Sequence, residues 1–265
     1  MKENSYPYRY FFASLSLICL LLADYLVCYH YPHINAMFTL PHLFIVISLC
    51  LAIVFNLLMY KYIVTGFLFT VFFSIISARI AALEGFYPYG AILVGSLLIQ
   101  LIFYRYYANF CINRADFSVS NSLLIFLRMY IGFNFIPHFT EKLFAGSIPR
   151  LADVNAFISM GIPYPTVFVE LAGICELIIA ISIGLGILTR AGAIFAAIYL
   201  FVATYLGHHF SLGFIWANVG GGWEYPVLWI VLVLIFAVIG SIGFSLDSLI
   251  MKKYRLSERV KWLME

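Results

Sequence analysis

Charge is scarce in this chain. Of its 265 residues, 10% are Asp, Glu, Lys or Arg, whereas soluble domains carry about 25%. Too little polar surface remains to clothe a water-soluble body of this length, which excludes a soluble globular fold. Paired cysteines are also lacking. Cys19, Cys28, Cys50, Cys111 and Cys175 include no C-x-x-C pair, so the vicinal dithiol of a membrane disulfide-exchange catalyst is excluded. They are read as small hydrophobes facing other helices. No tight H-x3-H spacing suggests a metal site. The run Gly220–Gly222 is not followed by Lys-Ser/Thr, so it is no phosphate loop. Outside the C-terminal tail no basic patch is interleaved with base-stacking aromatics, and nucleic acid is not an expected partner.

What the chain does have is apolar length. Hydrophobic residues make up 64% of it and the mean hydropathy is +1.02. A membrane-spanning helix needs about 20 mostly apolar residues. Eight stretches qualify, near Tyr10–Cys28, Pro41–Tyr60, Ile63–Leu83, Tyr89–Tyr107, Ser122–Thr140, Pro165–Leu188, Ala191–His209 and Tyr225–Phe244. The expected fold is an all-α integral membrane protein of about eight transmembrane helices. The first run follows Lys2 and Arg9 but lacks a small-x-small cleavage site, and is read as an uncleaved helix. The polar connection Ala108–Ser120 divides the chain into an N-terminal four-helix region, 1–119, and a second four-helix region, 120–248. A basic tail follows over 249–265.

Basic residues set the orientation. Lys2, Arg9, Lys61, Arg105, Arg114, Arg190, Lys252, Lys253, Arg255, Arg259 and Lys261 share one side, eleven of the fifteen in the chain. Lys142 and Arg150 occupy the other, while Arg79 and Arg128 lie within spans. Both termini are therefore expected in the cytoplasm of a multi-pass cell-membrane protein, with the tail against anionic headgroups. On the opposite side, Pro149–Met160 carries Leu151, Val154 and Ile158 on one face before Gly161, which predicts a short amphipathic interfacial helix. The connection Phe210–Glu224 with its glycine run is expected to be a flexible turn.

Ionisable groups inside a membrane are costly and usually face protein or water. At about 1.5 Å per residue, His138 stands roughly 24 Å up its helix. Glu170 and His208 fall in the same outer layer, reachable by Glu141, Lys142, His209 and Glu224. Such a layer can relay protons, ligate a metal or hydrogen-bond a quinone head group, or it is ordinary polarity where helix ends touch water. Deeper, Arg128 and Glu176 are placed to form an ion pair between neighbouring helices. That pair is either a structural staple or a site that carries protons or fixes a head group.

The run Arg128…His138…Glu141-Lys142-Leu143-Phe144-Ala145-Gly146 resembles the first helix of the DoxX/DoxD family. Gly161-Ile162-Pro163, then Glu176-Leu177…Gly184-Leu185-Gly186-Ile187-Leu188-Thr189-Arg190, resembles its second helix and closing turn. His208 and Gly240…Gly243-Phe244-Ser245-Leu246-Asp247 also fit, so the resemblance covers about residues 120–248. It implies a DoxX-like four-helix bundle. Its characterised relatives include a subunit of an archaeal thiosulfate:quinone oxidoreductase, and others are linked to membrane redox complexes or oxidative-stress tolerance.

Residues and resemblance together lead to the expectation of a quinone-handling membrane component or subunit of an oxidoreductase complex. His138, Glu170 and His208 are the expected catalytic groups. Arg128, Glu176 and Lys142 are the expected quinone-binding groups. Neither metal nor haem is expected. The partners are the lipid bilayer and other subunits of a membrane redox complex. Two further readings stand beside it. One is a non-enzymatic assembly or docking subunit using Pro149–Met160 and the glycine-rich turn, and the other a small-solute or ion transporter using Arg128 and Glu176.

Overall fold

The structure, a computed structural model, describes residues 18, 40–58, 63–83, 90–91, 93–95, 97–99, 101–102 and 119–264. The expected span Tyr10–Cys28 thus lies outside the described residues apart from Ile18, and Tyr89–Tyr107 lies partly outside them. Among the described residues every regular element is a helix. The chain divides into two compact units, residues 1–126 and 127–265.

In the first unit, α1 (Leu40–Leu58) and α2 (Ile63–Leu83) pack against each other, two separate helices as the apolar runs divide them. Phe55 and Phe69 stack with ring centroids 4.4 Å apart. Ser48 and Thr70 return their hydroxyls to the carbonyls of Phe44 and Gly66 on their own helices, at 2.8 and 3.0 Å. This back-bonding satisfies both buried hydroxyls within the apolar layer.

The helix α3 runs from Val119 to Leu143, and the boundary between units falls within it. The second unit continues with α4 (Ser147–Ser159), α5 (Pro165–Leu185), α6 (Thr189–Leu206) and α7 (Glu224–Ile239), then two short helices, α8 (Leu246–Lys253) and α9 (Glu258–Met264). Its core joins Ile131 and Phe135 of α3, Ile179 and Ile183 of α5, Ala193 and Ala196 of α6, and Val233 and Phe236 of α7. Small residues let the helices close up. A methyl group on Gly132 would collide with the Gly184 backbone. The far side of α5 stays apolar and exposed at Val167, Leu171, Ile174, Ile178, Ile181 and Leu185, a lipid-facing stripe.

Four helices among the described residues are long and apolar enough to cross a membrane: Val64–Leu83, Val119–Leu143, Pro165–Leu185 and Thr189–Leu206. Leu43–Phe55 and Glu224–Ile239 are apolar but shorter. The chain is therefore a helical membrane protein. The expected last span, Tyr225–Phe244, is cut back at Gly240, whose φ of 72° ends the helix. Immediately after it, the Ser241 N–H goes to the Met264 carbonyl at 2.9 Å. The expected flexible turn after α6 is instead a folded loop. Trp223 and Glu224 donate their N–H groups to Gly213 and Phe214 at 3.1 and 3.0 Å. Gly222 is required there, because a Cβ would lie 2.5 Å from each of the carbonyl oxygens of Gly213, Phe214 and Ile215.

The turn between α5 and α6 is fastened by a residue far along the chain. Gly186 adopts φ 69° and ends α5, and its carbonyl accepts from the Asp247 N–H at 2.8 Å. The fully buried Asp247 carboxylate accepts from Leu188 N at 2.8 Å, Thr189 N at 3.0 Å and Thr189 Oγ1 at 2.6 Å. It thereby caps the otherwise unpaired donors at the start of α6.

Asp247→Ala leaves those donors buried and unpaired and is expected to destabilise the chain by about 3 kcal/mol. Thr189→Val removes one hydroxyl and is expected to cost about 1 kcal/mol. Detergent-induced unfolding followed by circular dichroism measures both, and equal losses would refute the capping role.

Candidate functional site

The expected ion pair between Arg128 and Glu176 is not made. Arg128 is buried, and its Nη1 donates to the carbonyls of Ile183 at 2.8 Å and Gly184 at 3.0 Å. Its Nη2 donates to the Phe244 carbonyl. These contacts put the guanidinium at the C-terminus of α5, where carbonyls lack helical partners and the helix dipole favours a cation. Ile183 lies about 10 Å further along the helix axis than Glu176, which is why the two charges do not meet. Arg128 ties α3, α5 and the segment after α7 together.

Glu176 takes other partners. It is 5% exposed in the middle of α5. Lys142, in the last turn of α3, places its Nζ 3.1 Å from Glu176 Oε2. Tyr199 of α6 donates its hydroxyl to Glu176 Oε1 at 2.7 Å. The Lys142 ammonium also donates to the His138 carbonyl at 3.3 Å. Room for this reach comes from Gly173, one turn before Glu176 on the same face of α5. A Cβ there would lie 2.7 Å from Leu143 Cγ and 3.1 Å from Lys142 Cβ.

The amphipathic helix expected at Pro149–Met160 is present as α4, Ser147–Ser159. Its Asp153 turns an enclosed Oδ2 inward, with no hydrogen-bond partner. Burial pushes the Asp153 carboxyl above its ordinary range, opposed by Lys142, reinforced by Glu141 and opposed by His138. Above the carboxylates, an open cleft of about 430 Å³ lies between the end of α3, α4 and the start of α5. Lys142, Gly146, Ser147, Arg150 and Thr166 give it polar atoms, and Leu143, Leu151 and Val154 give it apolar walls. Lys142 thus belongs both to the cleft and to the buried pair.

The outer layer of His138, Glu170 and His208 is arranged differently from the expectation. All three are exposed, and no hydrogen bond or ion pair among the described residues joins them. Glu170 accepts from Arg150 at the cleft's rim. His138 lies close enough to Asp153 to act on its charge. His208 is past the end of α6, at φ 58°, because the helix stops at Leu206 rather than continuing through residue 209. His209 is the more engaged of the two, with Nδ1 3.0 Å from the Gly221 carbonyl and its ring 5.7 Å from that of Trp216. Among the described residues no group of three or more His, Cys, Asp or Glu side chains gathers as a metal site.

Asp153 and Tyr199 did not stand out in the sequence. Tyr199 is one of 19 tyrosines, and Asp153 lies on the polar side of a helix expected to rest at the interface. The spacing Gly173-x-x-Glu176 was the available signal, since it opens one helix face in front of a buried carboxylate.

Residues 123–209 match the DoxX family model. The chain therefore carries a DoxX region, and the resemblance read from its motifs is borne out over those residues. The match runs from the first turn of α3 through α6 and includes Arg128, Lys142, Asp153, Glu176 and Tyr199, while Gly240–Asp247 lie beyond it. No curated protein and no solved structure matches the chain.

Two outcomes test this site. Lys142→Met strands a buried carboxylate and is expected to cost about 3 kcal/mol, most of it recovered in Lys142→Met/Glu176→Gln. Strictly additive losses in detergent unfolding would dissolve the pair. For Asp153, a carboxyl held above its ordinary value binds its proton more tightly folded than unfolded. Its contribution is most favourable below the unfolded value of about 3.9 and is lost as pH rises through the folded value. Asp153→Asn should accordingly melt higher than the native chain at pH 7, with the gap closing as pH falls toward 4. A gap that ignores pH would show that Asp153 is not strained by burial.

Proposed function

We propose that the second unit binds the head group of a quinone-type carrier in the cleft between α3, α4 and α5, as a redox-associated membrane component. The observation that carries this reading is Lys142, which lines a cleft with apolar walls on one part and is held by the buried Glu176–Tyr199 pair. A quinone needs donors for its carbonyl oxygens, a flat apolar wall for its ring and a path into lipid for its tail. Lys142 supplies a donor, while Leu143, Leu151 and Val154 supply the wall. Exposed Phe144 and Ile148 beside it continue the apolar surface outward. Small-molecule sites occupy about 300–1,000 Å³, and the cleft volume falls in that range.

In this reading reduction of the quinone adds two electrons from a partner protein and two protons. The chain's residues serve the proton side. Lys142 holds an oxygen, and Glu176, through Lys142 and Tyr199, fixes the ammonium. Asp153 and the neighbouring His138 exchange protons with the water beyond α4. Glu170 keeps Arg150 at the rim, and His208 has no part. The cleft then opens on the extracytoplasmic side, both termini being cytoplasmic, as the distribution of basic residues supports.

The docking-subunit reading keeps one observation of its own. Ile148, Leu151 and Ile158 of α4 are exposed by 84%, 59% and 56%, a face that either the bilayer interface or a second membrane protein would cover. The transporter reading loses the Arg128–Glu176 pair on which it rested.

The test is binding of a short-chain ubiquinone and of menadione to the purified full-length protein. Saturable binding is expected, abolished by Val154→Trp, which fills the cleft, and weakened on the order of tenfold by Lys142→Gln. Absence of binding, or binding indifferent to Val154→Trp, would retire the proposal.

A further inference from the structure

The C-terminal segment Leu246–Met264 is fastened to the bundle at both ends. Asp247 bonds the α5–α6 turn through Gly186, Leu188 and Thr189. At the other end Met264 is buried, and its carbonyl takes the Ser241 N–H. Between them, the Arg190 guanidinium stands 5.9 Å over the Trp262 ring and donates to the Val238 carbonyl at 3.1 Å. Arg190 begins α6, and Val238 and Ser241 flank the end of α7. All these anchors therefore belong to the end of the bundle where two spans, Pro165–Leu185 and Thr189–Leu206, leave the apolar layer. A segment pinned at that level does not trail into solvent. It lies at headgroup depth.

Its outward chemistry is one-sided. Lys252, Lys253, Arg255 and Arg259 are exposed. The acidic residues do not offset them: Asp247 is buried and fully engaged, and Glu258 pairs with Lys261 at 2.7 Å. Among the cations lie exposed Leu249 at 60%, Tyr254 at 55% and Trp262 at 55%. Aromatic rings beside basic residues suit the boundary between acyl chains and headgroups. From this placement we infer that α8 and α9 form a docking surface for anionic phospholipid, holding phosphate-bearing headgroups around the α5–α6 turn. An acidic protein surface would match the charges, but it leaves Leu249, Tyr254 and Trp262 unexplained at a level already occupied by lipid. This surface is independent of the cleft, which lies at the opposite ends of α3 and α5.

The test uses the full-length protein in phosphatidylcholine vesicles containing spin-labelled phosphatidylglycerol or spin-labelled phosphatidylcholine. At low salt the first-shell preference for phosphatidylglycerol is expected to reach about fivefold. It should fall toward unity at about 1 M salt, where the screening length is about 3 Å. Lys252→Gln/Lys253→Gln/Arg255→Gln/Arg259→Gln changes exposed positions only and should abolish the preference with helix content unchanged. Trp262→Phe should retain it. Equal association of the two lipids with the native chain, or a preference that survives in the quadruple variant, overturns the inference.

Discussion

A carboxylate in an apolar bundle must find a cation, collect enough donors, or keep its proton. Glu176 meets that requirement with Lys142 and Tyr199, and the architecture of the second unit follows from it. Lys142 must come from the end of α3, so α3 and α5 run side by side in opposite directions. Tyr199 must come from α6, so the third helix closes on the same face. Gly173 must remain small, because the lysine stem and Leu143 fill the space a side chain would take. One ion pair thus accounts for the relative placement of three helices. It also explains why an ammonium sits in the wall of a cleft.

The opposite end of the bundle obeys the same rule with backbone groups instead of a carboxylate. Helix ends leave carbonyls and N–H groups unpaired, and water reaches them poorly at the end of a packed bundle. Arg128 serves the carbonyls of Ile183 and Gly184 at the end of α5. Asp247 serves the N–H groups of Leu188 and Thr189 at the start of α6. A cation at a C-terminus and an anion at an N-terminus also follow the helix dipoles. Both side chains are consumed by the fold. That leaves the Lys142 end as the one where polar groups face a cavity.

Much of this was legible in the chain. Apolar run lengths located the long described helices to within a few residues, except where Gly240 cut α7 short, but α8 and α9 were read only as a basic tail. Pro149 and Gly161 bracketed α4. Arg128, Lys142 and Glu176 stood out because ionisable residues are rare in apolar sequence. Their partners did not, since counting residues along a helix gives depth but not azimuth, and a long side chain can travel either way along the axis. Arg128 was paired with Glu176 for that reason, whereas it serves the carbonyls at the end of α5. His208 was misplaced because the end of α6 was set by apolar content, whereas the chain turns at Gly207. Asp153 and Tyr199 were hidden because each type is common in its setting, and only tertiary packing distinguishes the tyrosine that meets Glu176 and the aspartate that is enclosed.

The two ends of the second unit differ in what their charges meet. At the tail end, the Arg128 guanidinium and the Asp247 carboxylate both serve backbone groups, although Arg128 Nε keeps no partner among the described residues, and the exposed cations face outward. At the cleft end, Asp153 holds an enclosed oxygen with no donor, and Lys142, paired with Glu176 and largely buried, lines the open cleft. An enclosed acceptor without a donor is an unfavourable arrangement. A scaffold selected for stability alone would be better served by an apolar residue at position 153, because burying an unpaired carboxyl is costly. Its place near Lys142 is the feature that the proposed reading of the cleft as a binding site would account for.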